Sequence, residues 1–148
     1  EQVVPATREH IDLMKDSFRD IDELEARLVN GRGAYDTAIS NFYLSGTSWV
    51  GLLHGVPVVL FGHTEEDLSS GISRPWLMGT KDMDQCGMSV LRRTRKFMAK
   101  IKAASTRVEA TVHKDNKASL RWLKWAGFTI EQPEPFGKNN QLFHRAWL

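Results

Sequence analysis

The chain has 148 residues, one cysteine and a formal net charge of +2 at pH 7. This length suits one domain with a core of its own, and no apolar run reaches the ~18 residues of a membrane span. We therefore expect neither a membrane-spanning segment nor a membrane partner. Cys86 has no second cysteine to pair with, which favours a reducing, cytoplasmic setting.

Charge is divided unevenly along the chain. Residues 1–70 sum to −7 and residues 71–148 sum to +9. This asymmetry predicts that the second half meets a polyanion. A nucleotide cofactor, a nucleic acid and the chain's own acidic half are the three candidates.

The first 46 residues have helical periodicity after one short strand at Val3 and Val4. Thr7 is placed to cap a helix, and His10 stands three residues later, where a glutamate would complete a capping box. The segment "DELEARLVN" predicts a second helix that ends at Gly31. The segment "AYDTAISNFYLSG" predicts a third, short helix.

The pattern changes after Gly46 to short apolar runs. The segments "SWVGLLHG" and "VPVVLFGHT" predict a β-hairpin that turns at Gly55. A polar turn is expected over residues 65–71, followed by a third strand, "SRPWLMGT". Pro75 in that strand requires a position whose N–H is not needed.

The second half alternates between helices and strands. "MSVLRRTRKFMAKIKAA" is strongly amphipathic, "RVEATVH" alternates as a strand, and "NKASLRWLKWAGF" predicts a short helix. "FTIEQ" and "QLFHRAWL" predict two last strands around an irregular loop. The order is β, two or three α, three β, α, β, α, two β. It predicts a single α/β domain over 1–148, with a mixed, mostly antiparallel sheet and helices on both faces.

The stretch "HKDNKASLRWLKWAGF" joins the end of the fifth strand to a short helix. Val112 ends the strand, Asn116 stands four positions later as a helix cap, and the helix stops at Gly127-Phe128. This pattern, with the element order, resembles the GNAT superfamily of N-acyltransferases over nearly the whole chain. The resemblance implies a sheet that splays between "SRPWLMGT" and "RVEATVH", with acetyl-CoA or another acyl-CoA as co-substrate and no metal.

In that family a glycine-rich loop before the long helix holds the coenzyme A pyrophosphate, as helix N-termini hold anions. "DQCGMS" stands there, with Gly87 matching the central glycine and Asp84 replacing a Gln or Arg. The alternative is that Gly87 only starts a helix. The resemblance implies that the pyrophosphate lies over residues 81–89 and that the cofactor-binding residues are Met78, Gly79, Thr80, Gly87, Met88, Ser89, Arg92 and Asn116.

Catalysis departs from the family pattern at one position. Many members place a tyrosine seven residues after the asparagine as a general acid, whereas Leu123 stands there and cannot donate a proton. The candidate catalytic residues are His63, Glu65 and His113. The resemblance implies a carboxylate, or water held by one, as the base on the middle strands, and the unperturbed pKa of histidine near ~6.5 also suits that role. The alternatives are that His63 is an ordinary polar residue at a strand end and that His113 simply lies in a loop.

The resemblance implies two possible functions. The first is transfer of an acetyl group from acetyl-CoA to an amine whose identity is open. The second is a catalytically degenerate protein of virion structure or assembly, in the host cytoplasm or the virion, because "RPWLMGT" and "QLFHRAWL" also resemble small GNAT-like proteins of short-tailed bacteriophages, including an internal virion protein. A homodimer or a virion partner remains open.

Nucleic acid is not an expected partner. The long amphipathic helix has a basic face, but that face shows no interleaved aromatic residues and fits a solvated surface. Of the two tryptophans in the next helix, we expect Trp122 to be largely buried against the sheet and Trp125 to be partly exposed on a contact surface.

Overall fold

The structure, a computed structural model, describes residues 2–65 and 70–148, so most of the polar turn predicted over 65–71 lies outside the described residues. In chain order its elements are β1 (Gln2–Pro5), α1 (Arg8–Met14), α2 (Asp20–Asn30), α3 (Ala34–Leu44), β2 (Ser48–Leu53), β3 (Val56–Glu65), β4 (Ile72–Gly79), α4 (Met88–Ala103), β5 (Arg107–His113), α5 (Lys117–Trp125), β6 (Thr129–Ile130), β7 (Glu134–Phe136) and β8 (Gln141–Trp147). The predicted order is confirmed, with three helices before the hairpin. The loop predicted as irregular contains one further short strand, β7.

The strands form one sheet in the order β1-β2-β3-β4-β5-β8-β6, with β7 paired to β8. Among the described strands, only β4 and β5 pair in parallel. Helices α1 and α3 pack with β2, β3 and β4 around one buried cluster, and α4 and α5 pack with β5 and β8 around a second. The predicted fold class is therefore confirmed: one α/β domain with a mixed, mostly antiparallel sheet and helices on both faces.

Local sequence signals set the bounds of several elements. Thr7 accepts a hydrogen bond from the His10 amide, and His10 Nδ1 accepts one from the Thr7 amide, so a histidine completes the capping box. The β2–β3 hairpin turns at His54 and Gly55, whose φ angles are +50° and +79°. Both values lie in the left-handed region that two-residue hairpin turns require.

Strands β4 and β5 separate soon after they begin. They pair only at Ile72 with Arg107 and at Ser73 with Val108, and the expected splay between them is confirmed. Pro75 lies two residues beyond the last pair. Its missing N–H costs nothing there because the neighbouring strand has already diverged.

Strand alternation shows which backbone groups of β4 face the gap. The Thr80 amide donates to the Val58 carbonyl, so even-numbered N–H groups of β4 point toward β3. Odd-numbered ones, including those of Leu77 and Gly79, point the other way, into the gap.

The same argument applies to β5. The Lys114 amide donates to the Leu142 carbonyl on the β8 side, so the N–H groups of Thr111 and His113 face the gap. A parallel neighbour would have paired these groups. The splay removes that neighbour, and each of them needs another partner or water.

Helix α2 supplies the partner for two of them. Asp22 Oδ2 accepts a hydrogen bond from the Gly79 amide at 3.0 Å, and Glu25 Oε1 accepts one from the His113 amide at 3.0 Å. Asp22 also forms a two-pronged ion pair with Arg19, at 2.8 and 2.9 Å. Two carboxylates three residues apart on one helix thus bridge the separated strand ends.

We predict that Asp22→Ala destabilises the domain severely. The Asp22 and Arg19 side chains are 2% and 13% exposed, so the change leaves a charge and the Gly79 amide unpaired in the interior. Breaking one partner of such a pair costs about 3–5 kcal/mol. Asp20→Ala, in the same first turn but exposed, is the matched control and should cost less than about 1 kcal/mol. Urea unfolding of both variants measures the difference, and equal losses would contradict this account of the bridge.

Candidate active site

Two cavities flank the gap between β4 and β5. The front cavity, of about 310 Å³, lies between α2 and the two strands and is lined by residues that include Asp22, Glu25, Val29, Thr111 and Phe136. The rear cavity, of about 390 Å³, lies between α4 and α5 and is lined by residues that include Met83, Asp84, Met88, Thr94 and Trp125. Leu77, Ser119 and Trp122 line both cavities, so they form the boundary between them.

Glu25 is an ionisable group that contacts the separated end of β5. Its Oε1 accepts hydrogen bonds from the His113 amide at 3.0 Å and from Asn116 Nδ2 at 2.9 Å. Burial raises the pKa of this carboxyl group, the two hydrogen bonds oppose that shift, and the nearby Asp22 adds to it. The arrangement is a carboxyl group at the wall of a cavity with its pKa moved toward neutrality, which suits a general base.

Sequence analysis did not select Glu25. The only signal in the sequence is that Asp22 and Glu25 fall on the same side of α2 as Ala26 and Val29, and all four line the front cavity. Acidic residues on the inward face of a helix indicate that their carboxylates bind other groups of the protein or take part in chemistry. The partners of Glu25 lie about 90 residues further along the chain, beyond what local patterns show.

His113 is part of the same hydrogen-bond network and is 1% exposed. Its Nδ1 accepts a hydrogen bond from the Asp115 amide at 3.1 Å, so the ring proton resides on Nε2, which donates to Gln141 Oε1 at 2.7 Å. The ring also packs edge-on against Phe143. Both ring nitrogens are therefore engaged, and the imidazole holds the end of β5 against β8.

Asn116 is buried and caps α5 as expected. Its Oδ1 accepts from the Ser119 amide at 3.3 Å, and its Nδ2 donates to Glu25. The asparagine was predicted to bind a cofactor. In the structure its side chain connects α5 to α2 and orients the Glu25 carboxylate, and its cofactor role stays a prediction.

His63 and Glu65 lie apart from this network. The His63 ring packs against Phe97 of α4, its Nδ1 is buried without a partner in the described part of the chain, and burial lowers its pKa while Glu65 opposes that shift. Glu65 is exposed and pairs in register with Ser73, where β4 and β5 are still joined. The described linings of the front and rear cavities include neither residue, and their catalytic role stays a prediction.

The loop predicted to bind the cofactor pyrophosphate leads into the N-terminus of α4. A 3-10 turn at Met83–Gln85 precedes Gly87, which is the N-cap residue of the helix. Met88 lines the rear cavity together with Asp84, whereas Ser89 lines a separate cavity beside β1. The segment thus places a helix N-terminus beside the rear cavity, with a carboxylate at its edge.

The strand residues predicted to bind cofactor lie in different surroundings, and their role stays a prediction. Met78 is buried among the core residues of the α1–α3 face and borders the front cavity. The Gly79 amide donates a hydrogen bond to Asp22, and Thr80 is buried at the strand end. Arg92 is exposed on α4. Leu77, which was not selected, is the β4 residue at the boundary of both cavities.

The two tryptophans of α5 are both half-buried, as predicted for Trp125, whereas fuller burial was predicted for Trp122. Trp122 Nε1 donates to Thr94 Oγ1 at 2.9 Å, and the indole stands at the boundary of the cavities. The Trp125 ring lies 5.0 Å from the guanidinium of Arg95 and lines the rear cavity. An aromatic residue thus borders the basic helix. Leu123 is 1% exposed and packs in the core.

Solved structures share this architecture. A ribosomal-protein-alanine N-acetyltransferase from Brucella melitensis matches with TM-score 0.70 and 13% identity, over 100% of this chain and 99% of the other. A spermidine N-acetyltransferase from Vibrio cholerae, in complex with CoA and spermine, matches with TM-score 0.68 and 9% identity, over 99% and 94%. A GNAT superfamily phosphinothricin acetyltransferase from Sinorhizobium meliloti, in complex with AcCoA, matches with TM-score 0.65 and 10% identity, over 99% and 85%.

The chain therefore has the GNAT fold. No protein-family model and no curated protein matches its sequence, and identities this low establish the fold and not the activity. Among residues 2–65 and 70–148, no helix is long and apolar enough to cross a membrane. Within the same ranges, no group of three or more His, Cys, Asp or Glu residues is placed to hold a metal ion.

We predict a specific pH dependence for Glu25→Gln. The amide oxygen of glutamine still accepts from His113 and Asn116, so the fold should persist. In the native protein the folded state holds the Glu25 proton to higher pH than the unfolded chain does, so ionisation costs stability as pH rises through the interval above the usual glutamate pKa. Urea unfolding should show Glu25→Gln gaining stability relative to the native protein as pH rises above 4.5, the usual pKa of glutamate. A pH-independent difference would contradict the raised pKa.

Proposed function

We propose that the chain is an N-acetyltransferase-like enzyme that transfers an acetyl group from acetyl-CoA to an amine, with Glu25 as the general base. The observation that carries the proposal is the boundary between two cavities at the strand gap. A carboxyl group with a raised pKa lies on one side, and a largely apolar cavity beside a helix N-terminus lies on the other. Two reactants can approach the gap from opposite sides and meet there.

The rear cavity fits the co-substrate in two respects and disagrees with it in one. Apolar residues, including Met83, Met88 and Trp125, suit a pantetheine arm, and the N-terminus of α4 suits a phosphate group. Asp84 places a negative charge at the same entrance. Gly87, Met88 and Ser89 remain the proposed pyrophosphate-binding residues, with Arg92 near them.

A backbone amide at the gap can polarise the carbonyl group of the acetyl thioester. The N–H of Leu77 faces the gap, beyond the segment in which β4 and β5 pair. A fixed amide donor that stabilises developing negative charge on a carbonyl oxygen is worth about 10²–10³ in rate. We assign this role to Leu77, because it is the β4 residue that borders both cavities.

Glu25 takes up the proton that the amine loses. Oε1 is held by two donors, and Oε2 receives no hydrogen bond from the described residues. Acetyl-CoA supplies an activated acyl group with a thiolate as leaving group. Glu25 removes the proton as the C–N bond forms and the C–S bond breaks. Leu123 cannot protonate the departing sulfur, so we assign that proton to solvent.

Three further assignments remain open to test. His63, Glu65 and His113 were predicted as catalytic from the sequence, and Glu25 is favoured over them because it alone combines a raised pKa with a place in the front cavity.

The solved structures that share the fold give no support to the phage resemblance. A virion role would imply a folded chain that binds no acyl-CoA, so ligand titration distinguishes the two functions.

We expect acetyl-CoA to bind and Asp84→Gln to strengthen its binding. The change removes a negative charge from the entrance where the phosphates would lie. Isothermal titration should show a lower Kd for Asp84→Gln by about 3- to 10-fold at low salt, an effect that salt reduces. Asp20→Asn removes the same charge from an exposed position at the start of α2, outside the rear cavity, and should leave Kd unchanged. Absence of binding by the folded protein would contradict the proposed co-substrate.

Glu25→Gln should abolish most turnover while leaving acetyl-CoA binding intact. Loss of a general base lowers kcat/KM by about 10²–10⁴. A panel of amines, peptides and polyamines, followed by free-thiol detection, identifies the acceptor and gives the rate. Glu23→Gln is the control, since its amide oxygen keeps the hydrogen bond to the Ala34 amide and lies outside both cavities. Equal turnover by Glu25→Gln and the native protein would assign the base elsewhere.

A further inference from the structure

Trp122 is held in one orientation at the boundary of the two cavities. Its indole N–H donates to Thr94 Oγ1 at 2.9 Å, and the Thr94 hydroxyl donates in turn to the Leu91 carbonyl at 2.6 Å. Thr94 is 1% exposed. An indole fixed by this two-step connection joins α5 to α4 and cannot rotate away without breaking a part-buried hydrogen bond.

The other boundary residues leave the indole as the main obstruction. Leu77 contributes from β4, and Ser119, one turn before Trp122 on α5, contributes a small side chain. Trp122 is the largest of the three. A group that passes from the rear cavity toward Glu25 must therefore pass beside the indole.

We propose that Trp122 determines the size of the transferred acyl group by closing the passage between the rear and front cavities. This inference rests on the proposed function and adds a specificity to it. A two-carbon acyl group reaches the boundary from the rear cavity without displacing the indole. A longer acyl chain has to displace the indole, so the enzyme selects short acyl groups.

The physical consequence is a change in how affinity depends on acyl length. Where apolar space is open, each added methylene strengthens binding by about 4-fold. The native protein should gain nothing from added methylenes, because the indole occupies that space. Trp122→Leu opens the boundary. It leaves no buried polar group unpaired, because the Thr94 hydroxyl keeps its bond to Leu91.

The test is titration of acetyl-, butyryl- and hexanoyl-CoA in the absence of an acceptor, so that the readout is Kd and not turnover. For Trp122→Leu, the ratio of hexanoyl-CoA to acetyl-CoA affinity should rise at least about 10-fold over the native ratio. For Trp122→Phe, which removes less of the side chain and is expected to destabilise the fold less, the same affinity ratio should rise less. Trp49→Leu removes the same atoms from a half-buried tryptophan of β2 outside both cavities and should leave the ratio unchanged.

The outcomes separate this inference from the function it rests on. The native protein could bind acetyl-CoA while the ratio of hexanoyl-CoA to acetyl-CoA affinity is the same in Trp122→Leu, Trp122→Phe and the native protein. That result would overturn the role of Trp122 and leave the proposed function standing. No binding of any acyl-CoA by the folded native protein would overturn both. A raised ratio in Trp122→Leu but not in Trp49→Leu supports the inference.

Discussion

Two hydrogen bonds that carboxylates of helix α2 accept from strand-end amides make the open gap in the sheet possible. Diverging strands expose backbone N–H groups that a parallel neighbour would otherwise pair, and an unpaired buried amide costs about 1–3 kcal/mol. Asp22 accepts a hydrogen bond from the Gly79 amide at the end of β4, and Glu25 accepts one from the His113 amide at the end of β5. The helix thus satisfies both strand ends while keeping them apart. The front cavity exists because α2 spans this gap instead of a strand pairing across it.

The same bridge gives the two carboxylates different chemistry. Asp22 is neutralised by the two-pronged contact with Arg19 and is used for structure. Glu25 has no such counter-ion in direct contact among the described residues, only amide donors, and burial raises its pKa. One helix therefore carries a fixed structural anion and, three residues later, a carboxyl group suited to proton transfer. Asn116 extends the bridge to α5, so the cap of that helix and the orientation of Glu25 depend on each other.

Much of the fold could be predicted from the sequence because the signals are local. The Thr7 cap, the Gly55 turn and the amphipathic period of α4 each depend on neighbouring residues, and the structure confirms them. Strand β7 was missed, since its three residues contain Pro135 and it pairs with β8, a strand that local patterns do not reveal as its partner. The half-burial of Trp122 was also missed. Periodicity gives the inward side of α5 but not the distance to α4, where Thr94 bonds the indole.

The candidate site was less predictable because its residues meet only in the folded chain. His113 stood out as a polar residue after a strand, but its two ring nitrogens are occupied by Asp115 and Gln141. Glu25 has the geometry for the base, and its partners are 88 and 91 residues away in sequence. The resemblance to GNAT proteins located the gap correctly. It could not supply the carboxylate, because the helix that carries it has no motif in common with that resemblance.

Amide hydrogen exchange, measured residue by residue by NMR, tests the bridge most directly. In the ligand-free protein, the Gly79 and His113 amides should exchange slowly, at rates near those of the paired core strand residues such as Leu60, although neither has a strand partner on that edge. The Leu77 amide faces the same gap without a carboxylate and should exchange much faster. Exchange of the Gly79 and His113 amides as fast as that of Leu77 would show that α2 does not hold the separated strands.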